Sequence, residues 1–121
     1  MDYNLIFNEW ISNPLLCAEG LSELNSIKDD EEAKEYRFGT ELAFGTAGMR
    51  GIIGYGTNMM NIYTVRRATK GLADYVLSLG AKAASRGVVI SYDTRNYSRT
   101  FAVNAAGVLI SAGVQVHLYA E

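Results

Sequence analysis

From residue 42 onward the chain alternates between two hydrophobic periods, and that alternation limits the folds open to it more than any other feature. Residues 42–57 read as strand and turn, with Ile52 and Ile53 apolar and glycines at 45, 48, 51, 54 and 56. Asn61 then stands where a helix cap belongs. Val65, Thr69, Leu72, Val76 and Leu79 fall on one helical face, and Gly80 ends the pattern. Gly87-Val88-Val89-Ile90-Ser91-Tyr92 is continuous enough for a buried strand. A second helix begins near Ser98, with Phe101, Ala105, Val108, Leu109 and Ala112 as its apolar stripe and Gly113 as its stop, and Val114 to Tyr119 alternates with period two. Strand, helix, strand, helix, strand predicts an α/β fold of three layers, a mainly parallel sheet with flanking helices, because parallel strands need crossover connections.

Ahead of this pattern, residues 1–38 have a different composition. Leu5, Ile6, Trp10 and Ile11 make an apolar start, and Asn13-Pro14 breaks it because proline disfavours helix at the residue before it. The acidic run Asp29-Asp30-Glu31-Glu32 leads into Lys34, Tyr36, Arg37 and Gly39, which suits a short helix with its charges arranged along the macrodipole. Residues 1–38 therefore read as a helical extension packing on the domain formed by residues 39–121. The acidic run lacks the spacing and the glycine turn of a metal loop.

The 121 residues suffice for one domain with a real core. A net charge of −2 leaves no basic footprint for nucleic acid or an anionic membrane. Cys17 is the only cysteine, so neither an intrachain disulfide nor a thiolate metal cluster is available. The N-terminus has no basic n-region and no apolar run approaches the roughly 18 residues of a membrane span, which together favour a cytoplasmic address.

The chemistry is concentrated in Phe44-Gly45-Thr46-Ala47-Gly48-Met49-Arg50-Gly51. Gly45, Gly48 and Gly51 let backbone approach a ligand closely, and the Arg50 guanidinium offers a planar fork suited to phosphate oxygens. A tight turn with a solvated arginine is the plainer alternative. Two familiar phosphate loops do not fit. The gap from Gly51 to Gly56 is followed by Thr57 without the lysine of a Walker loop, and a dinucleotide fingerprint at Gly54-Tyr55-Gly56 would need glycine or alanine at Met59. Asp93, Thr94 and Arg95 fall at the end of a predicted strand, where ligands of parallel sheets gather, although such a pair also serves as a loop anchor. Arg66, Arg67 and Lys70 read as a solvated helix face, and His117, the only histidine, has no partner pattern that marks a catalytic group.

The octapeptide resembles the Phe-Gly-Thr-x-Gly-x-Arg-Gly signature near the start of the phosphoglucomutase/phosphomannomutase family, the α-D-phosphohexomutases. Val88-Val89-Ile90-Ser91-Tyr92-Asp93-Thr94-Arg95, followed by Tyr97-Ser98-Arg99-Thr100-Phe101-Ala102, resembles the strand, Asp-x-Arg turn and helix start of the same first domain. The resemblance covers roughly Leu42 to the C-terminus. It implies reversible transfer of a phosphoryl group between the 1- and 6-positions of a hexose phosphate through a phosphoserine and a bisphosphorylated intermediate. Arg50 would be catalytic and contact the transferring phosphate, with Thr46, Gly48, Gly51 and Arg95 as further substrate-binding positions.

The family's serine lies in a Ser-His context, and no Ser-His pair occurs here. The resemblance therefore implies a first domain truncated before its phosphoserine loop. The isolated piece would be inactive, free of metal and weakly self-associating, and would normally pack on the later domains of the same protein. Magnesium, whose ligands would lie in those later domains, and a hexose 1,6-bisphosphate activator belong to the intact enzyme. The roughly 40 residues ahead of the motif and the alanine at position 47 point to glucose phosphate over glucosamine phosphate, with phosphomannose and phosphopentose still open. The reading from another class is a stand-alone, non-catalytic α/β binding or assembly module.

Overall fold

The computed structural model describes residues 2–45, 48–49 and 51–120. They form two compact units, Met1–Thr64 and Val65–Glu121. The chain is α/β, with a helical N-terminal segment and a small parallel sheet.

The first unit is built on three short helices, α1 (Tyr3–Ser12), α2 (Ala18–Ser26) and α3 (Glu31–Phe38). Each begins on a side chain that accepts an otherwise orphaned helix N–H. Asp2 caps Leu5, the Cys17 sulfur caps Gly20 and Asp30 caps Ala33. α1 stops at Asn13, whose extended backbone is what the following proline demands. In α3, Glu31 and Glu32 occupy the first turn and Arg37 the last, the charge order that the macrodipole favours.

Phe7, Leu24, Phe38 and Tyr55 form the core of this unit, with Trp10 and Tyr63 packed against it. Phe7 and Trp10 both meet the Phe38 ring edge-on, with centroids 5.7 and 5.5 Å away. Lys34 is buried with its ammonium 5.2 Å above the Phe7 ring and 2.9 Å from Glu31, so its charge keeps two partners. Of the residues in the apolar start, Leu5 is exposed, and Phe7 takes the central place in the core.

Residues 42–57 do not contribute a strand to the parallel sheet among the described residues. Their strand content is a small antiparallel hairpin of β1 (Phe44–Gly45) and β2 (Gly48–Met49), paired Phe44 to Met49 and Gly45 to Gly48. So many glycines supply too few side chains to hold a longer ladder.

α4 (Ile62–Ser78) begins in the first unit and continues into the second, which adds α5 (Ala81–Arg86), β3 (Val88–Tyr92), α6 (Ser98–Ser111) and β4 (Val116–Ala120). β3 and β4 are parallel, in register from Val88 with Val116 to Tyr92 with Ala120, and α6 packs on both. Ala73, Leu109 and Val114 make the core, joined by Val76, Val88, Ile90 and Val116.

Three sequence-based expectations shift here. Leu72 and Leu79 are exposed, and the buried face of α4 runs through Val65, Thr69 and Ala73. On α6 the buried positions are Ala102, Ala106 and Leu109, one step round from Phe101 and Ala105. Small side chains let a helix come close to its neighbour, so alanine marks the inner face in both cases. β3 is not buried on both faces, since Val89 is 67% exposed.

Candidate functional site

The segment Phe44–Gly51 is held at its two ends. Before it, the Leu42 N–H donates to the Thr57 carbonyl at 2.8 Å. After it, the Ile52 carbonyl accepts the Met60 N–H at 2.8 Å, and the Gly54 N–H returns to the Met60 carbonyl at 3.0 Å. The pairing of Phe44 with Met49 closes the hairpin above these stems. Residues 52–60 thus form a strap against which both stems rest.

The strap is tied in turn to the helices. The Asn58 N–H and the Thr57 hydroxyl donate to the Arg37 carbonyl, and the Asn58 amide donates to the Tyr36 carbonyl at 3.0 Å. These contacts satisfy carbonyls that the C-terminus of α3 leaves open. One Glu23 oxygen accepts both from Arg37 and from the Tyr55 N–H, each at 2.7 Å. Gly56 has φ +141°, and a Cβ there would lie 2.7 Å from the Arg37 carbonyl oxygen, so only glycine brings the strap this close to α3. Burial, followed by the nearby Cys17 thiol and Glu19 carboxylate, pushes the Tyr55 phenol well above its ordinary value.

Of the residues expected to bind phosphate, Thr46 and Arg50 lie outside the described residues. Gly48 pairs with Gly45 in the hairpin. At Gly51 an added Cβ would fall 2.7 Å from the Leu42 side chain and 3.4 Å from that of Met60. Its missing side chain therefore lets the two stems pack together. Gly48 and Gly51 share one segment of the first unit, whereas Arg95 belongs to the second.

Arg95 follows β3 in a compact turn. Asp93 accepts the Arg95 N–H at 2.9 Å through one oxygen and the Arg95 guanidinium at 2.7 Å through the other. The Arg95 backbone N–H, with its guanidinium adding to the effect, holds the Asp93 carboxyl below the usual carboxylate range. Ser98 accepts the Asp93 N–H at 3.1 Å and ties the turn to the start of α6. The 86%-exposed Arg95 side chain can meet an anion from solvent while its Asp93 contact limits its range of motion.

Elsewhere, Arg66 donates to Asn104 at 2.9 Å, Lys70 pairs with Asp74, and the His117 ring lies 3.2 Å from the Arg86 carbonyl. Among the described residues, no three His, Cys, Asp or Glu side chains converge to hold a metal. None of the described helices is long and apolar enough to cross a membrane. The sequence places Asn61 at a helix cap and Arg37 in a short helix but does not reveal the strap, which Glu23, Arg37 and the Asn61 amide, donating to the Gly54 carbonyl at 2.9 Å, hold in place; glycines 54 and 56 were the available signal for a close backbone approach.

A helical segment, a glycine hairpin on a fixed strap and a parallel β-α-β unit define the class as an α/β domain carrying a phosphohexomutase-type signature. The family model described as phosphoglucomutase/phosphomannomutase, alpha/beta/alpha domain I, matches residues 41–120. The chain belongs to the phosphoglucomutase/phosphomannomutase family. A phosphopentomutase of Mus musculus is 36% identical over 118 residues, covering 93% of this chain and 19% of the relative. A phosphoglucomutase of Staphylococcus haemolyticus is 44% identical over 85 residues, 70% of this chain and 15% of the relative. A phosphoglucomutase of Staphylococcus epidermidis is 37% identical over 111 residues, 92% of this chain and 19% of the relative. The chain thus spans less than a fifth of the length of these curated relatives. No solved structure matches it.

Proposed function

We propose that this chain serves as the first domain of a sugar-phosphate mutase that interconverts glucose 1-phosphate and glucose 6-phosphate. A phosphoserine elsewhere in the intact enzyme gives its phosphoryl group to the free sugar hydroxyl, forming a 1,6-bisphosphate. The other phosphoryl group then returns to the serine. Arg50 holds the charge on the transferring phosphoryl oxygens through its guanidinium fork, with the glycines beside it giving access and Thr46 hydrogen-bonding within the loop. Arg95 supplies a second anion contact. Magnesium and hexose 1,6-bisphosphate are requirements of the intact enzyme in this reading, with the metal ligands in later domains, and no step assigned to these residues runs through the ion. A cytoplasmic location and weak self-association of the isolated chain belong to the same reading.

The observation that carries the proposal is the signature segment closed by the Phe44–Met49 pair on two hydrogen-bonded stems. Fixed stems favour catalysis by positioned charge, because a donor already in place needs no reorganisation when negative charge develops. A phosphopentose substrate is the second reading, supported by a match to a phosphopentomutase that covers this chain as fully as the match to a phosphoglucomutase, 93% against 92%.

The test assays the intact enzyme on glucose 1-phosphate, mannose 1-phosphate and ribose 1-phosphate, with a bisphosphate primer and magnesium. The highest kcat/KM is expected on glucose 1-phosphate, and the 121-residue chain alone should show no turnover. A preference for ribose 1-phosphate would move the assignment to pentose. No turnover on any of the three would overturn the mutase and leave the non-catalytic module.

A further inference from the structure

We infer that Asn61 is a positioning residue for the signature segment, acting through the 52–60 strap that carries both of its stems. The inference rests on the reading of Arg50 given above, because it assigns Asn61 a role in where that arginine is presented. Asn61 is 4% exposed, and its carboxamide works at both ends. Oδ1 accepts the N–H groups of Tyr63 and Thr64, each at 3.0 Å, and so caps α4. Nδ2 faces three strap carbonyls, Gly54 at 2.9 Å, Gly56 at 3.1 Å and Met59 at 3.3 Å. Two donors against three acceptors on one side and two N–H groups on the other fix the orientation of the amide. The Thr64 hydroxyl adds a bond to the Met59 carbonyl at 2.8 Å.

A helix cap alone would use only the oxygen. The nitrogen instead gathers the strap from Gly54 to Met59, the stretch that contains Thr57, whose carbonyl holds the Leu42 stem. Met60, which binds the Ile52 carbonyl, directly precedes Asn61. A displacement of the strap therefore moves together Leu42 and Ile52, the residues that flank the signature segment. Serine caps helices as well as asparagine does but is too short to reach the strap carbonyls, so Asn61→Ser separates the two roles.

In the 121-residue chain, amide exchange of Leu42 and Met60 should accelerate roughly tenfold in Asn61→Ser, with Tyr63 and Thr64 changing by less than about twofold. Should that variant fail to fold, Asn61→Asp keeps the cap acceptor and replaces the donating NH2 with an oxygen, and the same exchange pattern is expected. In the intact enzyme, Asn61→Ser should lower kcat roughly tenfold to a hundredfold, the scale of a misplaced catalytic group, with KM little changed. In an Arg50→Lys background the same change should cost less than about threefold, because both act on one event.

Unchanged exchange at Leu42 and Met60 would overturn the inference, as would a kcat penalty that multiplies in full with that of Arg50→Lys. An intact wild-type protein without mutase turnover would overturn the mutase reading instead. The exchange result would then decide by itself whether Asn61 holds the stems.

Discussion

Glu23 and Arg37 meet at 2.7 Å across α2 and α3, and the same Glu23 oxygen accepts the Tyr55 N–H at the same distance. Arg37 also donates to the Tyr55 carbonyl at 3.0 Å, so ion pair and strap backbone form one closed set of bonds. With the Arg37 side chain only 18% exposed, removing its carboxylate leaves a charge that water reaches poorly. Glu23→Ala should cost about 2 kcal/mol, in the range of hydrogen bonds to charged groups, and Glu23→Gln about half as much because it keeps an acceptor. Urea unfolding followed by Trp10 fluorescence reports this unit, since Trp10 packs on Phe38 and Tyr63. A midpoint unchanged in Glu23→Ala would show that the strap does not depend on this pair.

Two glycines should respond to alanine in opposite directions. At Gly56, φ is +141° and the new Cβ would sit 2.7 Å from the Arg37 carbonyl oxygen, a backbone atom that cannot swing away. Gly56→Ala should destabilise by roughly 2 kcal/mol or more. Gly71 lies within α4, and a Cβ added there would have no neighbour within 4 Å beyond its own helix backbone, so Gly71→Ala should stabilise by about 0.5–1 kcal/mol through helix propensity. Thermal melts of the two variants beside the parent check both signs at once. A Gly56→Ala melt at or above the parent's would refute the close approach of strap and α3.

The contrast between those glycines illustrates what was legible in the sequence. Element ends were, because their signals are local: the acidic run from Asp29 to Glu32 at the start of α3, Asn61 before α4, and Gly80 and Gly113 after α4 and α6. The inner faces of α4 and α6 were less so, because each residue turns the helix by about 100° and adjacent apolar stripes read alike until a neighbour selects one. Ala73 and Ala106 were selected over Leu72 and Ala105 for that reason. In the candidate site, residue types identified the signature segment, but the strap depends on contacts such as Glu23 to Tyr55, 32 positions apart, which leave no local period to read.

Asp93 offers a titration test in which two parts of Arg95 separate. The Arg95 backbone N–H is the larger cause of its lowered pKa, and the guanidinium adds to it. Arg95→Ala should therefore raise the Asp93 pKa only part of the way to the ordinary value, because the backbone bond survives. The sign follows from the depression: the carboxylate's contribution to stability is fully present above the unfolded value near 4 and is lost as pH falls through the lower folded value. NMR titration of the Asp93 carboxyl in both proteins reads this directly. A complete return to the ordinary value would mean that the side chain alone sets the turn.

Arg50→Lys in the intact enzyme tests the chemistry assigned to the signature segment. Lysine keeps the charge and loses the planar fork, so it can neutralise a phosphate without bridging two of its oxygens. If Arg50 holds charge that builds up during transfer, kcat should fall on the order of tenfold to a thousandfold, as for a lost electrostatic donor, while the far-UV spectrum and Trp10 emission stay as in the parent. An arginine that served only substrate capture would raise KM and leave kcat unchanged, because binding lost equally from ground and transition states does not slow the bound complex. A variant with near-parental kcat and KM would remove Arg50 from the site and leave the glycine hairpin as a structural turn.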